Sequence, residues 1–127
     1  VKWWWWALPA LAVWMAYDKL SRWALAIAKA EGYHVAGSLP NRLNNPGSIK
    51  DPATGQLQAF PTPLHGFAAL LAQLRLAVSG RSAYYRPDMT LAEFARVYTG
   101  GDNPEGWART VAQELGVSTD VRIRELV

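Results

Sequence analysis

Ala26-Ile27-Ala28-Lys29-Ala30-Glu31-Gly32-Tyr33 is the stretch on which the reading of this chain turns. Upstream of it Leu20, Trp23, Ala24 and Ile27 recur at helical spacing, and Glu31 falls one turn beyond Ile27 on the same apolar face. Gly32 supplies a stop signal, so the spacing predicts a helix that ends at about Ala30 or Glu31 with a carboxyl group at its C-terminal end. There a carboxyl loses hydration and faces the negative end of the helix dipole, and both effects raise its pKa. A carboxyl that stays protonated near neutrality is what general acid catalysis requires.

Outward from this helix, residues 32–62 are rich in Gly, Pro and Asn and read as loop with a short hairpin from Gly47 to Phe60, turning through Asp51-Pro52-Ala53-Thr54-Gly55. Thr62-Pro63 reads as an N-cap with proline at the first helical position, and Phe67, Leu70, Leu71, Leu74 and Val78 form one apolar stripe before Gly80. Thr90 with Glu93 makes a capping box before Leu91, Phe94, Val97 and Tyr98, and that helix should end near Thr99-Gly100. Asn103-Pro104 opens the next helix, Trp107, Val111 and Leu115 mark its buried side, and Gly116 closes it. A last short helix is expected from Asp120 to Leu126. The fold class that follows is α+β and mainly α, with several short helices and a small β-hairpin behind a hydrophobic N-terminal helix.

Composition narrows the chemistry. The chain has 127 residues, half of them apolar, enough for one modest core. Its net charge of +3 comes from scattered arginines with acids between them, not from a basic block. A dispersed basic surface attracts polyanions softly, and with no nucleic-acid motif present no nucleic-acid partner is expected. Without cysteine the chain has no disulfide and no thiolate chemistry, and with His34 and His65 as its only histidines it predicts no metal site, while acid and base work by one carboxyl requires no cofactor.

The beginning of the sequence differs from the rest. Lys2 precedes four consecutive tryptophans, Trp3 to Trp6, and the uncharged run continues to Tyr17. Indoles on every face of a helix suit a membrane interface better than a globular core. Residues 1–18 are therefore expected to form a membrane anchor in contact with lipid through residues 3–17, and residues 19–127 the catalytic domain. Two alternatives are a signal peptide, with Ala10-Leu11-Ala12 or Trp14-Met15-Ala16 as its cleavage site, and a hydrophobic helix buried against a partner. The basic residues are too balanced across the run to assign an orientation.

Four stretches stand in a particular order: AIAKAEGY (26–33), NRLNNPGSI (41–49), AFPTPLHGFAALLAQL (59–74) and FARVYTGGDNPEGWARTVAQELGVS (94–118). From about Leu25 to Leu126 this order resembles phage and bacterial cell-wall lytic enzymes of the lysozyme-like superfamily, lytic transglycosylases in particular. The family's run of Glu-Ser followed by Gly-Leu-Met-Gln is absent; Glu31-Gly32 and the Asn-Asn-Pro-Gly-Ser-Ile loop stand in its stead. The resemblance implies that Glu31 is the catalytic acid and base, that Asn44 and Asn45 lie on an Asn-rich loop after it, and that Phe60, Thr62, Gly66 and Tyr98 fall at groove-lining, helix-starting and tyrosine positions. It also implies peptidoglycan glycan strands as substrate.

Two mechanisms separate on a second carboxylate. Hydrolysis by this class ordinarily uses two, and Asp51 is the nearest candidate, although Asp before Pro at the start of a turn is explained by local hydrogen bonding alone. If Asp51 is only a turn residue, Glu31 works alone. By resemblance, the N-acetyl group of muramic acid would then assist departure and its C6 hydroxyl would close a 1,6-anhydro ring. Asn44 and Asn45 are expected to hydrogen-bond N-acetyl or hydroxyl groups, and Tyr98 to hold Glu31 or the sugar; the structural alternative makes them turn and core residues. Tyr84 and Tyr85 read as loop packing, His34 as an exposed loop residue and Trp107 as core.

Anchor and wall chemistry together point to a phage particle that opens the wall during infection, alongside other virion proteins. The alternatives are a signal-anchored endolysin on the bacterial inner membrane, facing the periplasm, and a wall-binding protein without turnover.

Overall fold

The computed structural model describes residues 7–127, with side chains from Lys19 onward. The tryptophan run and the side chains of the expected membrane segment, 3–17, lie outside the described residues. Among the described residues no helix is long and apolar enough to cross a membrane.

Among the described residues five α-helices follow in order: α1 (Ala7–Ala30), α2 (Leu39–Arg42), α3 (Pro63–Ser79), α4 (Leu91–Tyr98) and α5 (Pro104–Leu115), with a 3-10 turn at Ile123–Leu126. The chain is thus mainly helical. Their ends are set by the residues that the sequence marks. Thr62 accepts the His65 amide ahead of Pro63, and Gly80 takes the left-handed conformation that ends α3. Thr90 and Glu93 form the reciprocal capping box of α4. Asn103 caps α5 through the Gly106 amide.

Three details depart from expectation. The loop after Glu31 contains α2, capped by Ser38 with Pro40 buried behind it; a single turn is too short to display a hydrophobic period. Val97 is 43% exposed, away from the apolar side of α4. The C-terminal turn starts at Ile123 rather than Asp120, because Arg122 pairs with Thr90 and the Ile123 amide donates to the Met89 carbonyl at 2.8 Å, which holds Arg122 extended.

α1 packs on α3 and α5, and α4 packs on α5. The centre of the core is aromatic. Trp23 and Phe94 are fully buried, with ring centroids 5.3 Å apart. Phe94 in turn touches Tyr85 at 4.4 Å, Tyr98 at 5.4 Å and Trp107 at 6.0 Å. Such rings are stiff and large, so the cluster holds the ends of α4 and α5 in fixed register against α1. The hairpin is small, with one antiparallel bridge between Lys50 and Leu57, flanked by hydrogen bonds from Asp51 N to Gln56 O and from Gln58 N to Ile49 O.

Candidate functional site

α1 ends at Ala30, and Glu31 follows while still donating its amide to the Ile27 carbonyl at 2.9 Å, so its side chain leaves from the last turn of the helix. Gly32 takes φ 74° and turns the chain away. The Glu31 carboxylate enters a cleft of about 680 Å³ whose walls come from the hairpin, the end of α4 and the first turns of α5. Ser48, Lys50, Tyr98, Asp102 and Trp107 are among the residues that line it with Glu31.

Burial raises the Glu31 pKa above its ordinary value. Hydrogen bonds from the Ser48 hydroxyl and the Trp107 indole oppose the shift, as does the charge of Lys50, while the like charge of Asp102 adds to it. Trp107 Nε1 donates to Glu31 Oε2 at 3.3 Å. Trp107 is therefore both a core residue, 6% exposed, and a wall of the cleft. Tyr98 stacks against it with ring centroids 4.9 Å apart, and its hydroxyl donates to the Gly47 carbonyl. Desolvation, then the neighbouring Glu31 and Tyr85, holds the Tyr98 phenol well above its usual value, so it stays neutral. A Cβ on Gly47 would lie 2.8 Å from Leu70 Cδ1 and 2.9 Å from the Tyr98 hydroxyl, so a side chain there would push both from their present places.

Of the residues singled out from sequence, Glu31 and Tyr98 meet at the cleft. Asn44, Asn45, Phe60, Thr62 and Asp51 do not line it. Asn45 is fully buried, its amide donating to the Ile49 and Gln58 carbonyls at 2.9 and 3.0 Å and its oxygen accepting the Ile49 amide at 2.9 Å. All three bonds fasten the hairpin, and full burial closes the side chain to a ligand. Asn44 donates to the Phe60 carbonyl at 3.0 Å, tying the loop to the hairpin's far end. Thr62 is exposed and caps α3. Asp51 Oδ1 accepts the Ala53 amide at 2.8 Å and the Asp51 carbonyl takes the Thr54 and Gly55 amides, so Asp51 serves its own turn rather than the cleft. Asn44 and Asn45 thus fasten the hairpin from which Ser48, Lys50 and Leu57 line the cleft.

The carboxylate that shares the cleft with Glu31 is Asp102, from the Gly100-Gly101-Asp102 loop between α4 and α5. It escaped sequence reading because Asp in a glycine-rich turn has an ordinary local explanation. Ser48 and Lys50 were likewise within reach of detection only as neighbours of the Asn-Asn-Pro-Gly run. Ser48 does carry a signal once folded: it takes φ 49°, an uncommon conformation for a residue other than glycine, beside a half-buried carboxyl.

The arrangement is a partly desolvated carboxyl, held by an indole donor with the Ser48 hydroxyl nearby, beside a second carboxylate and a lysine in an open polar cleft. Chemically it can deliver a proton to a bound group and take one back. No family model, curated protein or solved structure matches the chain.

Proposed function

We propose that the chain cleaves the β-1,4 bond between N-acetylmuramic acid and N-acetylglucosamine in peptidoglycan, as a lytic transglycosylase of lysozyme-like type with Glu31 as acid and then base. The observation that carries this reading is the placement of Glu31, on the last turn of α1 inside the cleft and with its pKa raised by burial. The order of sequence motifs supports it from the other side. Glu31 first gives its proton to the leaving glycosidic oxygen, and the bond to the sugar's anomeric carbon breaks. The carboxylate then takes the proton of the C6 hydroxyl as that oxygen closes on the anomeric carbon. Trp107 and Ser48 stabilise the carboxylate that exists between the two transfers.

A second reading rests on Asp102. Its place in the cleft favours hydrolysis with two carboxylates, in which it rather than Asp51 partners Glu31. Residues 3–17 would hold the enzyme at a lipid membrane, in a phage particle or on the bacterial inner membrane.

Incubation with purified peptidoglycan tests the proposal. Muropeptides with anhydro ends, lost in Glu31→Gln, are the expected result. Reducing ends lost in Asp102→Asn would replace transglycosylation with hydrolysis, and no release from folded protein would leave a wall-binding protein.

A further inference from the structure

Lys50 and Arg109 both line the cleft, and neither has an ion-pair partner among the described residues. Lys50 is exposed on a hairpin that Asn45 pins from beneath at Ile49 and Gln58, so the backbone from which it projects is fixed. Its bridge partner Leu57 also lines the cleft. Lys50, Ser48 and Tyr98 further line a neighbouring groove of about 340 Å³ that reaches the exposed Tyr84. Lys50 thus stands on the ridge between two depressions that one extended ligand would fill.

With Glu31 protonated, the charged side chains of the cleft are Lys50, Arg109 and Asp102, two positive and one negative. A neutral polysaccharide gives such a balance no counterpart, whereas a strand bearing carboxylates does. We infer that Lys50, with Arg109 as the second cation of the cleft, is a specificity-determining residue that binds a carboxylate carried by the glycan. This rests on the glycosidase reading above and adds to it the class of strand selected. On peptidoglycan the carboxylate comes either from the lactyl group of peptide-free muramic acid or from the stem peptide.

The test compares three strands: peptide-stripped glycan with free lactyl carboxylates, glycan with its stem peptides, and either one after carbodiimide coupling of its carboxylates to a small neutral amine. The unmodified chain is expected to cleave the carboxylated strand with the lower KM. In Lys50→Met the ratio of kcat/KM between carboxylated and neutralised strands falls about three- to tenfold, carried by KM rather than kcat and shrinking as salt rises. Arg109→Met gives the same direction. Whichever of the first two strands shows the larger effect names the source of the carboxylate. A ratio that Lys50→Met leaves unchanged, or equal cleavage of carboxylated and neutralised strands, overturns the inference while leaving the glycosidase reading intact. Failure of the unmodified chain on every strand overturns both.

Discussion

Trp107 Nε1 donates to Glu31 Oε2 at 3.3 Å, joining positions 76 residues apart. The bond orients the carboxyl from the side of the aromatic core, because the same indole stacks on Tyr98 and touches Phe94. Trp107→Phe removes the donor and keeps most of the ring packing. Since that bond lowers the Glu31 pKa, its loss moves the Glu31 titration to higher pH, readable by NMR of the labelled carboxyl, while stability falls by roughly 1–2 kcal/mol. An unmoved titration would show that the indole is only core.

Burial of Glu31 makes stability depend on pH with a definite sign. Its folded pKa lies above the ordinary 4.5, so the folded chain holds this proton more tightly than the unfolded chain. The protonated group imposes no penalty below the unfolded value, and the penalty grows as pH rises through the folded value. Glu31→Gln is expected to melt close to the native chain at about pH 4 and above it at about pH 8. Calorimetry at the two pH values decides it, and a difference that shrinks toward high pH contradicts the assignment.

The two aspartates separate cleanly. Asp102 raises the Glu31 pKa by repulsion, so Asp102→Asn moves that titration downward. Asp51→Asn changes only a turn bond to Ala53 and leaves the titration in place, with stability altered by about 1 kcal/mol or less. Equal responses in the two variants would mean that Asp51 faces Glu31 after all.

Asn45→Ala removes three hydrogen bonds from a fully buried side chain and leaves the Ile49 amide and the Ile49 and Gln58 carbonyls without those partners. A loss of roughly 3 kcal/mol follows, together with faster amide exchange at Ile49 in the hairpin. Denaturant titration measures the first and hydrogen exchange the second.

Gly66 sits where α3 meets the loop. A Cβ there would lie 1.9 Å from the Asn44 carbonyl oxygen, a backbone atom that cannot move aside as a side chain does. Gly66→Ala is expected to lower stability by about 3 kcal/mol, the upper part of the overpacking range, although alanine favours helix. A neutral or stabilising effect in thermal melting would refute the close approach.

Much of this protein is written locally. The capping box of Thr90 and Glu93, Thr62-Pro63 at the start of α3, Asn103-Pro104 at the start of α5 and the glycines after Ser79 and Leu115 each act through neighbours a few residues away, so their chemistry can be read in order along the chain. Glu31 was legible for the same reason: its distance from Ile27 puts it on the apolar face, and burial then raises its pKa whatever the details of the walls. What only the tertiary structure decided is which residues surround that carboxyl. Asn45 and Asp51 lie nearer to it in sequence than Asp102 and Trp107, yet the first two spend their polar atoms on the hairpin and its turn. The latter two arrive from the far end of α4 and from α5, carried there by the packing of Phe94, Tyr98 and Trp107. Local hydrogen bonding has a sequence spacing and can be anticipated, whereas the convergence of distant side chains on a cleft is set by how the helices pack.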